Sequence, residues 1–317
     1  MRLLFILDPL PELKAWKDSS VAMMRAARDR GHEVWAATAE ALSWTGNSGV
    51  CAAATRLEIS DDNAAWYREA AHESLRLADC GAVIMRKDPP FDIEYVTTTW
   101  MLERAEAEGA RVFNRPQALR DHSEKFALTE FPQFAPKTLI TRDAAQLSAF
   151  IDAEGDTVLK PLDGMGGSRI FRVRRDDPNR NVIIETLAEF GARTVMAQAY
   201  LPAISEGDKR ILVIGGEVVP FCLARIPKAG ESRGNLAAGG TGIARPLSAR
   251  DREIAEALAP VLAARGLLLV GLDVIGECLT EINVTSPTCM VEIREQTGVD
   301  AAAMFVTAVE KACVVSS

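Results

Sequence analysis

Five consecutive apolar residues, Leu3-Leu4-Phe5-Ile6-Leu7, stop abruptly at Asp8-Pro9, and shorter runs of the same kind recur at 34–37 and 82–85. Unbroken apolar runs of strand length suit strands covered on both faces. Between them the period lengthens. Asp18-Ser19-Ser20 offers N-cap side chains to a helix through Ala22, Met23, Arg25 and Ala26 that stops at Gly31. A second helix is expected over 94–108, ended by Gly109, with a strand at 111–114. This alternation predicts an α/β fold whose first part is an open, mainly parallel sheet with helices on both faces. Ligands of such sheets gather beyond the carboxyl ends of the strands, where Asp8, Asp18 and Arg86 fall.

The pattern changes near Asp121. A helix is expected around Glu124 and Lys125, then a strand at 157–160, a glycine-rich turn at 163–168 and a returning strand at 170–173. A helix over 182–190 and a strand over 194–198 lead to Tyr200-Leu201-Pro202. A hairpin follows, 210–214 with 217–224, turning at Gly215-Gly216. Segment 226–242 is rich in glycine, lacks an apolar period and is too long for a simple connection, so it reads as a mobile, functional loop. A helix at 248–265, a second hairpin and a final helix complete three expected units, 1–121, 122–201 and 202–317.

The second hairpin, GLDVIGECLTEINVTSP from Gly271 to Pro287, carries the sharpest chemistry. Glu281 and Asn283 are two residues apart on one strand and so share a face. Asp273 on the partner strand could join them. Two carboxylates and an amide oxygen suit a hard divalent cation, most simply Mg²⁺ carrying a nucleotide phosphate. A two-residue turn at Gly276-Glu277 would set Asp273 opposite Thr280. A three-residue connection, Gly276-Glu277-Cys278, sets it opposite Glu281, so an odd-numbered connection is expected. The turn Asp163-Gly164-Met165-Gly166-Gly167-Ser168, just after Lys160, suits a phosphate cradle because glycine lets backbone N–H groups approach an anion. It is neither a P-loop nor a dinucleotide fingerprint, since G-x-x-x-x-G-K-[ST] is absent and a strand follows.

Composition narrows the classes. The 317 residues, 48% hydrophobic and 25% charged, are those of a globular protein of two or three packed units. A net charge of −8 argues against a nucleic-acid partner. Six cysteines without a C-x-x-C pair, and three scattered histidines, argue against a zinc site or disulfide framework and fit a reducing cytoplasm. The first residues form a strand rather than a signal peptide, and no apolar run suggests a membrane partner.

Taken in order, Lys125, Lys160 with its glycine-rich turn, Met196-Ala197-Gln198-Ala199-Tyr200-Leu201, Asp273, Glu281 and Asn283 resemble the ATP-grasp enzymes. More narrowly, MRKDPPFD (85–92), KPLDGMGG (160–167), RGNLAAGG (233–240) and TEINVTSPTC (280–289) resemble the prokaryotic glutathione synthetase family over essentially the whole chain. That resemblance implies an N-terminal substrate-binding domain followed by a two-part ATP-grasp fold, with an α+β lid and a C-terminal antiparallel-sheet domain. It implies a cytoplasmic homo-oligomer joining γ-glutamylcysteine to glycine through an acyl phosphate, with ATP as co-substrate and Mg²⁺ or Mn²⁺ as the metal. Lys125, Lys160, Gly164, Gly166 and Gly167 would meet the phosphates. Gln198, Ala199, Tyr200 and Leu201 would meet the adenine, and Asp208 the ribose. Asp273, Glu281 and Asn283 would hold metal, and Arg210, Arg225 and the loop's Arg233 would stabilise the transition state. Ser19, Arg86, Asn235, Ser286, Thr288 and Glu292 would contact substrate. The chain departs from the family pattern at Thr241, where a basic residue is usual. A ligase for another peptide or amino acid, or a non-catalytic ATP-binding module, are the competing readings.

Overall fold

A computed structural model describes residues 1–164, 166–228, 234 and 239–315. Three sheets follow one another along the chain. The first contains β1 (Arg2–Ile6), β2 (Glu33–Ala37), β3 (Leu42–Thr45), β4 (Gly49–Ile59), β5 (Tyr67–Arg76), β6 (Ala82–Met85) and β7 (Val112–Phe113). Its strand order is β3-β4-β2-β1-β6-β7, with β5 on β4. The expected parallel strands form its centre, β2-β1-β6-β7. An antiparallel wing, β3 to β5, extends it. Strand β1 is buried on both faces, as its unbroken apolar run requires. Leu4 and Ile6 pack with Tyr95, Leu102 and Ala105 of α2 (Ile93–Ala107), while Leu3 and Phe5 pack with α1 (Ser19–Asp29). Asp18 caps α1, accepting from the amides of Ser20 (2.7 Å) and Val21 (3.0 Å).

After the short α3 (Pro116–Asp121) the chain differs from expectation. Glu124 and Lys125 lie in a turn ahead of a 3₁₀ segment at Phe126–Glu130, not in an α-helix. The turn is held by the site: Glu124 Oε1 accepts from Val284 N (2.9 Å) and Thr285 Oγ1 (2.9 Å), and Lys125 reaches Glu281.

The second sheet has order β10-β9-β11-β8, from β8 (Thr138–Thr141), β9 (Asp156–Pro161), β10 (Phe171–Arg174) and β11 (Val195–Ala199). It has a core of its own, where Leu159, Val173, Val195 and Ala197 meet α4 (Ala144–Glu154) and α5 (Arg180–Ala188). The third sheet, order β14-β13-β12-β15-β16, comprises β12 (Asp208–Ile214), β13 (Glu217–Ile226), β14 (Thr241–Pro246), β15 (Leu269–Ile275) and β16 (Cys278–Asn283). One face packs on α6 (Ala249–Ala264) and the other on α7 (Met290–Thr297) and α8 (Ala301–Val315). Both of those cores are continuous with cores of the first sheet. Buried Asn114 stitches the two sheets, donating to Leu269 O (2.8 Å) and Val284 O (2.7 Å) and accepting from Leu269 N (2.9 Å). Among the described residues no helix is long and apolar enough to cross a membrane.

Strands β15 and β16 correct the hairpin expectation. The turn is two residues long, with Ile275 opposite Cys278 and Val274 opposite Leu279. Asp273 is nevertheless opposite Glu281, because a β-bulge at Thr280 absorbs one residue. The Thr280 hydroxyl donates to the Asp273 carbonyl (3.1 Å) across this irregularity.

His122, 3% exposed, ends the segment after α3. Its Nδ1 must accept from Arg265 Nη1 (3.3 Å), because a guanidinium only donates. Burial, and then Arg265, push its pKa down from 6.5 to about 4. Between those values the unfolded chain binds a proton that the folded one does not. Stability is therefore expected to fall as pH drops through that window, by on the order of 3 kcal/mol from this group. Urea unfolding at pH 7, 5.5 and 4.5 checks it: His122→Gln should lose this part of the slope, and an identical slope in the variant would refute the assignment.

Candidate functional site

A cavity of about 670 Å³ opens where the three sheets meet. On one wall, the bulge lets β15 and β16 aim polar groups from opposed positions, Asp273 with Glu281 and Gly271 with Asn283. Asn283 Nδ2 donates to Gly271 O (3.2 Å), so its Oδ1 is the atom left for a ligand. Glu281 Oε1 accepts from Lys125 Nζ at 2.7 Å. Asp273 is buried between two arginines: Arg210 approaches through Nε and Nη2 (2.9 Å to Oδ2), and Arg225 Nη2 lies 2.8 Å from Oδ2. Burial opposes the charged form of Asp273, yet Arg210 and Arg225 together hold its carboxyl well below the usual range. Arg225 also pairs with Asp208. Gly271 makes this packing possible, since a Cβ there would lie 2.7 Å from Arg210 Cδ and 2.9 Å from Pro287 Cβ.

Facing this wall are Lys125 and Lys160, both buried. Lys125 Nζ bridges Glu281 and the Gly164 carbonyl (2.6 Å), tying the glycine-rich turn to the third sheet. Lys160 Nζ has a carbonyl partner, Thr280 O (3.2 Å), and burial lowers its pKa to about 8. Gly166 and Gly167 adopt φ of +61° and +79°, the left-handed region that side chains disfavour. At the far end, the Ala199 amide donates to Lys137 O and the Tyr200 amide to Asp156 O, both at 3.0 Å, so neither is free to meet a base edge. Gln198 Nε2 donates to Thr138 Oγ1 (3.0 Å). Leu201 and Asp208 line the same end.

Ser286, Thr288 and Glu292 line the cavity too, and the Ser286 hydroxyl donates to Asp88. Ser19 and Arg86 do not line it; they brace its wall. Arg86 donates to Ser20 Oγ (3.0 Å) and Pro287 O (3.0 Å), and Ser19 Oγ accepts from Met290 N (3.3 Å). Arg233 and Asn235, like most of the expected 226–242 loop, lie outside the described residues. Several lining residues escaped the sequence reading. Glu124 was passed over beside Lys125. Arg172 stacks 3.6 Å from the Tyr200 ring centroid while gripping Asp156, and only its place on the strand returning from the glycine turn could have pointed to it.

The oxygen-rich wall suits a divalent cation. Asp273, Glu281 and Asn283 are hard donors on rigid strands, and Asn283 keeps its amide oxygen free of the sheet. Among the described residues no cluster of three or more His, Cys, Asp or Glu competes with it.

The chain is similar to known proteins. Residues 1–120 match the family described as prokaryotic glutathione synthetase, N-terminal domain, and residues 124–298 match its ATP-grasp domain. A glutathione synthetase of Ralstonia nicotianae is 58% identical over 98% of this chain and 96% of its own. That of Nitrosomonas europaea is 55% identical over 98% of both. Among solved structures, a D-cycloserine synthetase superposes with a TM-score of 0.69 at 16% identity, over 99% of this chain and all of its own.

Phosphate binding should depend on the Lys160 proton. Above pH 8 the free protein loses this ammonium, so affinity for ADP should weaken roughly tenfold between pH 7 and 9. Calorimetric titration across that range should give a falling curve for the protein and a flat, weaker one for Lys160→Met. A flat curve for the unaltered protein would exclude Lys160 from phosphate contact.

Proposed function

The chain belongs to the prokaryotic glutathione synthetase family, and we propose that its cavity joins γ-glutamylcysteine to glycine while ATP becomes ADP and phosphate. The family uses ATP with a divalent metal, and Mg²⁺ is the ion we infer here, held by Asp273, Glu281 and Asn283. When bound, it neutralises charge on the phosphate oxygens. Lys125 and Lys160 steady the phosphates beneath the glycine turn, and Tyr200, Leu201, Gln198 and Asp208 enclose the nucleoside.

The carboxylate of the cysteinyl residue attacks the γ-phosphorus, the bond to the β-phosphate oxygen breaks, and ADP leaves. The amine of glycine then attacks the acyl phosphate, passing through a tetrahedral oxyanion. Loss of the amine proton and departure of phosphate give the new amide. Arg210 and Arg225 supply positive charge to both developing anions, which is where preorganised donors matter most. An acyl phosphate must be kept from water; of the expected 226–242 loop, Ile226, Thr241 and Gly242 belong to β13 and β14, and the part between those strands, with Arg233 and Asn235, is the proposed lid. Ser286, Thr288 and Glu292 bind the dipeptide, and Ser19 and Arg86 act on it through the wall they brace. Six cysteines without a C-x-x-C pair support a reducing cytoplasm as the setting, and we infer a homo-oligomer from the family.

The observation that carries this reading is the convergence, in one cavity, of the Asp273–Glu281 pair with Lys125, Lys160 and two buried arginines. Phosphate release from ATP, with γ-glutamylcysteine plus glycine compared with each alone and with other dipeptides, tests it. Release that does not require both substrates would overturn the assignment. Glu281→Gln should retain the fold, judged by an unchanged circular dichroism spectrum, and lose about 10²-fold in rate. Near-normal turnover in saturating Mg²⁺ would remove Glu281 from the metal.

A further inference from the structure

Four cations and four carboxylates face one another in the inner cavity: Arg210, Arg225, Lys125 and Lys160 against Asp273, Asp208, Glu281 and Glu124. Without ligand Arg210, Arg225 and Lys125 pair with Asp273, Asp208 and Glu281, while Lys160 donates to the Thr280 carbonyl and Glu124 accepts from Val284 and Thr285. The pairing is uneven, however, because the groups assigned to the metal are bonded to the groups assigned to the anions. Glu281 accepts from Lys125, and Asp273 accepts from Arg210 on both oxygens and from Arg225 on one. Asp273 therefore has no oxygen free of a guanidinium.

We propose that Asp273 is a storage partner for the two arginines, and that entry of the metal nucleotide exchanges its partners. The cation takes the Asp273 oxygens, and Arg210 and Arg225 turn to the acyl-phosphate side of the cavity. This rests on the function proposed above and adds an order to it: the anion-stabilising charge becomes available only after the nucleotide and its metal are in place. The physical cause is repulsion. A dication within bonding distance of Asp273 lies close to both guanidiniums and weakens their hold at the moment it neutralises their partner. Both arginines already line the cavity. Rotation about their side chains is the movement required, and the Arg210 stem passes over Gly271, where a Cβ would lie 2.7 Å from its Cδ and block it. A free dipeptide carboxylate arriving first would find the arginines occupied, which disfavours binding out of sequence.

The test reads the arginines directly. Protein with ¹⁵N-labelled arginine should give a slowly exchanging Arg210 Nε–H resonance, identified by its loss in Arg210→Lys. Saturation with Mg²⁺ and a non-hydrolysable imido analogue of ATP should shift this signal and speed its exchange with water at least tenfold. Mg²⁺ alone or nucleotide alone should leave it in place. Calorimetry on the same sample reports whether the metal nucleotide has bound. Binding with an unchanged Arg210 signal would overturn the exchange while sparing the functional reading, and failure of the metal nucleotide to bind would overturn both.

Discussion

Charge confined with little water is the constraint on which the site depends. Removing one partner of a buried ion pair costs about 3–5 kcal/mol, because the survivor keeps its desolvation penalty without compensation. That is a large share of the stability of a typical domain. Asp273, Arg210 and Arg225 are each at least nine-tenths buried, so none of them can simply be vacated. This explains why Asp273 and Glu281 are carried on strands rather than on loops. A strand fixes Asp273 opposite Glu281 through backbone hydrogen bonds that do not change when side-chain partners do.

The cores are divided in a way that serves the same end. The first and third sheets share continuous apolar packing and are stitched by Asn114, so the metal-side wall and the wall braced by Arg86 behave as one block. The second sheet closes a separate core under α4 and α5 and bears the glycine turn and Lys160. Its other face meets the block through Met196, Ile140 and Leu162, and polar bonds add to this from Lys160 to the Thr280 carbonyl and from Lys125 to the Gly164 carbonyl.

Much of this was legible in the chain. The Leu3–Leu7 stretch announced a two-sided strand, and Asp18 announced its helix. The strings at 160–167 and 280–289 pointed to two walls that meet around one cavity. Other parts were hidden for physical reasons. The wing of β3 to β5 is half exposed and carries mixed, weakly alternating residues, so its period is faint. Glu124 and Lys125 sit among helix-compatible residues, but tertiary bonds from Val284, Thr285 and Glu281 outweigh that local preference. The bulge had a signal that turn counting missed. Leu279 and Ile282 are both fully buried in the same core although three apart, which a regular strand of period two cannot arrange.

That bulge has a consequence beyond the hairpin's shape. In a strand, one surplus residue acts like a frameshift, inverting the inward and outward sense of everything after it. Thr280 is such a surplus residue, and the bulge absorbs it just before Glu281, sealed by the Thr280 hydroxyl on the Asp273 carbonyl. The hairpin is thereby split into two frames. Toward the tip, Val274 pairs with Leu279 in the core, and toward the base, Asp273 pairs with Glu281 at the cavity. The surplus is therefore silent: a two-residue turn without Thr280 would pair Asp273 with Glu281 just as the bulged strand does, so the aim of the hairpin's base survives a change in its length.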